Sequence, residues 1–413
     1  MIKKVWFVSH FSMPPEYEMR IKTQMYAHYL GNKGIGCTIF SASTIHNTNI
    51  NLIPGKESFI KKTYGDLSFV HIKCCNYRGN GFKRIINIKQ FSHRFYKIAS
   101  KMEKPDVIVT DCNCIGYKRI LDFSKKYGVK VFLDIRDLWP LSIVEYMGLS
   151  KRNPLIRYLY SQEKRMYRLA DGIIFTMEGG KQYLKDRGWT DIDENKIFHI
   201  NNGIDFDEFE KNKQTNIYTD DDLEDSDSFK VIYVGAVRRV NGLKVLCDAA
   251  NIIQTRIPCC KFLIFGDGDE KKELENYCQS KNINNVVFKG SVPKKYIPYI
   301  LSCGDANILN YQVTKVIEYG ACQNKLFDYL ASGKITICNA KGKYNLLERY
   351  RCGILTKSPS PESTADAIVE AFNLGDKKRH EYGERAIEVA KKYDYKALTN
   401  QLLNIIDPDY KNE

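Results

Sequence analysis

Short apolar runs and amphipathic stretches alternate along almost the whole of this chain, and few folds accept that pattern. Strand-like runs occur at 3–10, 36–43, 68–74, 106–111, 130–137, 172–177 and 197–203, with helical spacing at 18–33, 84–102 and 154–169. The pattern restarts at 231–236 and continues at 261–267, 286–292, 305–310, 335–340 and 353–357. Runs such as VIYV and FLIF lack the polar alternation of a half-exposed strand, so both faces are expected to be covered, as in parallel sheets under helices. The interruption near 205–228 divides the pattern in two. Its acidic run at 220–227 has turn composition and reads as an exposed linker or loop rather than a metal site. The expected fold is α/β, with two doubly wound Rossmann-like units facing one another, each taking ligands at the carboxyl ends of its strands. The expected boundaries are 1–204, 205–383 and 384–413, the last an amphipathic helix crossing back to the first unit.

A chain of 413 residues has room for two or three such cores. It holds no run of 18 apolar residues, so no membrane-spanning helix is expected. The opening MIKKVWFVSHFS combines lysines with a short apolar run but lacks a small-residue cleavage site, and reads as a first strand. The 13 cysteines are irregularly spaced and never at zinc-site spacing, which fits small core residues in a reducing cytoplasm. The net charge of +14 favours an anionic partner: nucleic acid, acidic lipid or a phosphorylated substrate. Between Leu67 and Met102 there is no acid, while Lys73, Arg78, Lys83, Arg84, Lys89, Arg94, Lys97 and Lys101 are interleaved with aromatics. Ile85, Ile88, Phe91, Phe95, Ile98 and Met102 recur every three or four residues there, which makes an amphipathic helix. Its basic face is either simply solvated or meets an anionic membrane surface or lipid-pyrophosphate acceptor. No nucleic-acid recognition module is visible, so nucleic acid is not expected.

Several stretches carry candidate chemistry. In NKLFDYLASGKITICNA (324–340), Leu326, Phe327, Leu330 and Ala331 form the apolar face of a helix that stops at Gly333. Lys325 and Asp328 project from the other side of the same turn. A lysine with the helix's free N–H groups suits phosphate, and the carboxylate suits ribose hydroxyls. An ordinary surface ion pair is the alternative. In VGAVRRVNGL (234–243), Gly235 ends a strand and Arg238 and Arg239 occupy the turn, a metal-free arrangement for a diphosphate. Gly266-x-Gly268 follows a strand but lacks the third glycine of a dinucleotide fingerprint, and Asp267 and Asp269 read as caps rather than metal ligands. Arg136, Asp137 and Trp139 end another strand, as a carbohydrate or acid–base site or as a structural salt bridge under a packed Trp. Glu18 and Arg20 begin the first helix, and Glu178 ends a strand before a helix.

Taken together, IRDLWPLS, FTMEGGKQYL, INNGID, YVGAVRRVNGL and YGACQNKLFDYLASGK resemble retaining glycosyltransferases of family four, of the GT-B fold, in their bacterial surface-polysaccharide branch. The resemblance covers essentially the whole chain. It implies a nucleotide-sugar donor, expected to be a UDP-sugar, on the second unit and a lipid-linked or saccharide acceptor on the first, with no metal and no further cofactor. It places Asp328 as ribose ligand, Lys325 with Gly320, Asn324 and Leu326 at the phosphates, Gly235, Gly266, Arg238 and Arg239 around the diphosphate, and Asp137, Arg239 and Glu318 at the chemistry. Glu18, Arg20, Arg136, Trp139 and Glu178 would meet the acceptor. The first acid of the family's pair is replaced by Gly320, with Glu318 two residues out of register. The usual Arg and Lys of the loop are Ala236 and Asn241. The implied location is the cytoplasm, peripheral to the inner face of the membrane. A sugar-nucleotide epimerase of the same fold, a basic nucleic-acid-binding or DNA-modifying protein, and a sugar-binding protein without turnover are the rivals.

Overall fold

The structure is a computed structural model that describes residues 1–17, 22–46, 48–79, 81–320 and 323–410. The chain forms two compact units, Met1–Asn201 with Tyr395–Glu413, and Asn202–Asp394. Both are Rossmann-like α/β units, as the alternation of strands and helices predicts.

The first unit holds β1 (Lys4–Val8), β2 (Gly36–Ala42), β3 (Phe59–Tyr64), β4 (Leu67–Ile72), β5 (Val107–Thr110), β6 (Lys130–Ile135), β7 (Gly172–Phe175) and β8 (Ile197–His199). They form one sheet in the order β3-β4-β2-β1-β5-β6-β7-β8, parallel except for the β3–β4 hairpin. That hairpin is absent from the sequence reading. Its outer strand FIKKTY is an edge, where charged side chains discourage further pairing and erase the apolar run. The helix Tyr395–Ile406 packs on the helix Lys22–Gly31, with Tyr395 edge-on to Tyr26 at 6.2 Å, and Asp407 accepts from the Ile2 amide at 2.7 Å. The return begins later than the expected residue 384, because residues 384–392 finish the helix Gly375–Lys392 of the second unit.

The second unit holds β9 (Phe229–Val234), β10 (Cys260–Phe265), β11 (Val286–Gly290), β12 (Ala306–Leu309), β13 (Thr336–Cys338) and β14 (Gly353–Leu355), all parallel, in the order β11-β10-β9-β12-β13-β14. Side chains alternate between two cores, as strand geometry demands. Val231, Tyr233, Phe262, Ile264 and Ile308 pack under the helices Leu243–Arg256 and Pro361–Asn373. Ile232, Val234, Leu263, Phe265 and Leu309 pack under the helices Ile297–Ser302 and Asn324–Ala331.

The acidic run is not a free linker. Asp221–Glu224 is a short helix, and its flanking carboxylates are ion-paired to the edge of the sheet. Lys289 Nζ meets Asp220 and Asp222 at 2.7 Å each, and Lys261 Nζ meets Asp222 and Asp225 at 2.9 Å each.

Candidate functional site

The strand order of the second unit reverses between β9 and β12, the place where doubly wound sheets hold ligands beyond their carboxyl ends. The segment after β9 runs close against the segment after β10. The Gly235 amide donates to Phe265 O at 2.9 Å. Gly266 sits at φ +156°, and a Cβ there would lie 1.8 Å from Gly235 O, so only glycine allows the two segments to touch. Arg238 is extended, Arg239–Asn241 make a single tight turn, and the helix Leu243–Arg256 follows. Asn241 fixes this loop from inside: its Nδ2 donates to Ala236 O at 2.7 Å, and its own carbonyl accepts from buried Asn310 Nδ2 at 2.7 Å.

Lys325 enters from the first turn of the helix Asn324–Ala331, whose Leu326, Phe327, Leu330 and Ala331 are buried as the spacing predicts. Its Nζ donates to Asn241 Oδ1 at 3.0 Å and to Tyr233 Oη at 3.3 Å, and stands 4.9 Å and 5.6 Å from the ring centres of Tyr233 and Tyr311. Lys325 makes no ion pair among the described residues, so the surface pair with Asp328 is not formed. Burial therefore pushes its ammonium down to about 7. Asp328 is half-buried and Asn324 exposed. The hydroxyl of Tyr233 in turn donates to Ala236 O at 3.0 Å, so the lysine, the tyrosine and the loop form one connected cradle.

Arg238 and Arg239 are exposed on the rim, and neither side chain makes a hydrogen bond or ion pair among the described residues. Gly320 is buried at φ +114°, a conformation a carboxylate-bearing residue resists, which explains a glycine where the family's acid is expected. Glu318 is exposed on the preceding turn, and residues 321–322 lie outside the described residues. Asp267 accepts from the Gly268 amide at 2.7 Å, three residues short of the helix Lys271–Ser280, whose N-cap is Glu270 and has no side-chain cap bond, so the expected capping by Asp267 and Asp269 is not formed. No group of three His, Cys, Asp or Glu arranged to hold a metal occurs among the described residues.

In the first unit the sheet reverses between β1 and β5, and a buried ionic cluster lies there. Lys22 Nζ donates to Asp134 Oδ1 at 2.9 Å, Ile200 O at 3.0 Å and Thr176 Oγ1 at 3.2 Å. Arg136 meets Asp134 at 2.9 Å, Asp111 at 3.3 Å and Thr23 Oγ1 at 2.6 Å, and Ser9 donates to Asp111 at 2.6 Å. Burial would neutralise Asp134, yet the two cations hold its carboxyl below the usual range. Asp111 goes the other way: burial outweighs Arg136 and Ser9 and raises it, and its Oδ1 has no partner among the described residues. His10 shares a 2.5 Å hydrogen bond through Nε2 with Asn87 Oδ1, and burial lowers its ring to about 4, so it is neutral.

The expected pairing of Arg136 with Asp137 is thus corrected. Residues two apart on an extended segment share a face, so Arg136 turns with Asp134, while exposed Asp137 accepts from Ser142 Oγ at 3.0 Å. Trp139 and Glu178 are half-buried, and Glu18 and Arg20 lie outside the described residues. Tyr233, Asn310, Tyr311, Lys22 and Asp111 went unread in the sequence, since each acquires its role only from residues far along the chain.

A family profile described as Glycosyl transferases group 1 matches residues 215–389, and one described as Glycosyltransferase Family 4 matches residues 53–208. Alpha-D-kanosaminyltransferase of Streptomyces kanamyceticus is 25% identical over 177 residues, 42% of this chain and 44% of that protein, so the alignment spans less than half of the relative's length. Sucrose-phosphate synthase of Thermosynechococcus elongatus shares the fold with a TM-score of 0.73 at 16% identity over 97% of each chain. Anabaena HepE, solved in complex with UDP, does so with a TM-score of 0.70 at 12% identity over 98% of this chain and 100% of that one.

Proposed function

The chain belongs to the GT-B glycosyltransferases, and on that premise we propose that it moves a hexose-type sugar from a UDP-sugar, with retention, to a saccharide or lipid-linked saccharide of bacterial surface-polysaccharide assembly. The observation that carries this reading is Lys325, an unpaired cation aimed at the switch point of the second unit between Asn241 and Tyr233. A lysine without a carboxylate partner is costly unless an anion comes to it. The diphosphate of the donor is that anion, with Asp328 half-buried one turn further along the helix for the ribose. Arg238 and Arg239 stand on the rim, free to meet the charge that grows on the leaving diphosphate. Gly235, Gly266, Gly320, Asn324 and Leu326 supply backbone to the same cradle, while Asp137 and Glu318 remain the candidate carboxylates. Arg136 is assigned to holding the first unit's cluster together, with Trp139 and Glu178 kept on the acceptor side.

The reading also includes association with an anionic cytoplasmic membrane surface. The helix Phe82–Ala99 buries Ile88, Phe91, Phe95 and Ile98 and exposes Phe82, Lys83, Ile86, Lys89, His93 and Lys97 along its other side. Arg84 and Arg94 are half-buried, Arg84 over the Phe11 ring at 4.9 Å and Arg94 bonded to Lys73 O, so neither belongs to the exposed stripe.

The test is UDP release from a panel of UDP-sugars with and without saccharide acceptors. Release that depends on acceptor and persists in EDTA supports metal-independent transfer, whereas UDP-sugar consumed with release of a free epimer supports the epimerase. Arg239→Ala is expected to lower kcat about 10-fold or more while changing UDP affinity less, since a charge that develops in the transition state is the one it meets. An equal loss in both would leave Arg239 a mere anchor.

A further inference from the structure

A cavity of about 460 Å³ in the first unit lies apart from the ionic cluster described above, and no role has been given to it. It is walled by the segment after β2 and the segment after β4, parallel neighbours in the sheet, so it opens at the ligand-binding ends of those strands. One wall presents Thr44, Thr48 and Asn49, the other Asn76, Arg78 and Lys83, with Tyr77 between.

The walls are held in place by their own bonds. Arg78 Nε donates to Asn49 Oδ1 at 2.6 Å across the cavity, and Asn51 Nδ2 donates to Asn76 Oδ1 at 2.7 Å. Tyr77 Oη and His46 Nδ1 share a hydrogen bond of 2.7 Å, and Asn87 Nδ2 ties Thr44 Oγ1 at 3.1 Å to the helix beneath. Arg78 is thereby oriented, while its terminal amines make no bond among the described residues, and neither does Lys83 Nζ. Among the described residues no carboxylate lines the cavity. The chain has no Asp or Glu from Met19 to Lys56 or from Leu67 to Met102, so both walls come from acid-free stretches.

We propose that this cavity seats a saccharide bearing a phosphate or diphosphate, the phosphate at Arg78 and Lys83 and the sugar hydroxyls at Thr48, Asn49 and Asn76. A guanidinium oriented through one nitrogen with its fork free is the arrangement that takes phosphate oxygens in pairs. Amides and hydroxyls both donate and accept, as sugar hydroxyls require. The site deepens the transfer reading, on which it rests, by giving the acceptor an anionic group and a place in the first unit.

The experiment uses the full chain and three probes: glucose, glucose 6-phosphate, and N-acetylglucosamine linked through diphosphate to a short prenyl chain. UDP is titrated first. Both phosphorylated probes, or one of them, should bind at least 10-fold more tightly than glucose. The one that binds tells a free sugar phosphate from a lipid-linked one. Arg78→Ala with Lys83→Ala should remove that preference and leave UDP affinity unchanged, with Arg78→Lys intermediate. Equal binding of glucose and the phosphorylated probes, no binding of any probe by a chain that binds UDP, or an undiminished preference in the double variant would overturn the proposal. A chain that fails to bind UDP would instead sink the transfer reading itself. A Thr48→Val, Asn76→Ala variant leaves the Asn49–Arg78 bond intact and so separates the sugar contacts from the phosphate contacts; it should weaken the phosphorylated sugar while leaving inorganic phosphate unaffected.

Discussion

Lys325 Nζ lies 3.0 Å from Asn241 Oδ1, and the side chain of that asparagine also bonds Ala236 O, so one amide both shapes the loop after β9 and holds the ammonium beneath it. The amide offers the lysine an oxygen but no countercharge. Its proton is therefore loosely held, near a pKa of about 7 rather than the ordinary 10.5.

UDP affinity should consequently fall as pH rises from 7 to 9, by about tenfold per unit at most, because the diphosphate prefers the charged lysine. Calorimetry in buffers of different ionisation heat should register proton uptake on binding. The free protein shows the reciprocal effect. Between about 7 and 10.5 the unfolded chain holds a proton that the folded one has lost, so stability rises with pH across that window, and below it the full desolvation penalty is present. Lys325→Met should therefore raise Tm at pH 6.5 while abolishing UDP binding. Wild-type stability of the variant at pH 6.5, or a UDP affinity of the wild type that does not change between pH 7 and 9, would disprove the buried-cation assignment.

Gly266→Ala tests the contact between the loops after β9 and β10. The added Cβ falls 1.8 Å from Gly235 O, and the residue would also be held at φ +156°. The expected cost is roughly 3 kcal/mol, the upper part of the range for forced overpacking with backbone strain. Because Gly235 leads directly into the arginine turn, UDP affinity should fall as well. An unchanged unfolding midpoint in urea would show that the loops can separate freely.

Which features were readable from sequence follows from where their partners lie. The strands of the second unit announced themselves as apolar runs because helices cover both faces of the sheet. The strand FIKKTY escaped because an edge needs no apolar run. The side of the helix on which Lys325 projects was legible from its own turn, through the buried Leu326 and Leu330. Its partners Asn241 and Tyr233 were not, being 84 and 92 residues away. The acidic run was misjudged for the same reason: Lys261 and Lys289 pair with it from 36 to 69 residues along. Adjacency misled at Arg136 and Asp137, where alternation on an extended segment separates neighbours and joins Arg136 to Asp134.

Glu163 is fully buried and accepts from Tyr167 Oη at 2.9 Å and from Tyr183 Oη at 2.9–3.0 Å. Burial outweighs those hydroxyls and lifts its carboxyl from 4.5 to about 8. Between those values the folded chain holds the extra proton, so stability falls as pH rises through the window and the penalty is complete above 8. Glu163→Gln keeps an acceptor for the tyrosines and cannot ionise. It should match the wild type at pH 4.5 and melt several degrees higher at pH 9. Parallel melting curves at the two pH values would rule out a buried carboxylate as the source of alkaline instability.

The exposed stripe of the helix Phe82–Ala99 allows the membrane reading to be tested without touching the phosphate cavity. Phe82 is 74% exposed and carries Lys89 and Lys97 on the same side, seven and fifteen residues on, spacings close to whole helical turns. An apolar residue next to cations is what an anionic lipid surface holds, at about 1 kcal/mol for each cation near it, within a Debye length. Binding to vesicles of phosphatidylglycerol and phosphatidylcholine should weaken as salt rises. Lys89→Gln with Lys97→Gln should reduce it by roughly thirtyfold, adding Phe82→Ser should reduce it further, and UDP affinity should not change. Lys83 is left in place so that loss of vesicle binding cannot be confused with loss of the phosphate site. Duplex DNA is the control, because positive charge alone also binds phosphate backbones. Equal binding to purely neutral vesicles would contradict the electrostatic account. Tighter binding to DNA than to anionic vesicles at physiological salt would favour a nucleic-acid partner instead.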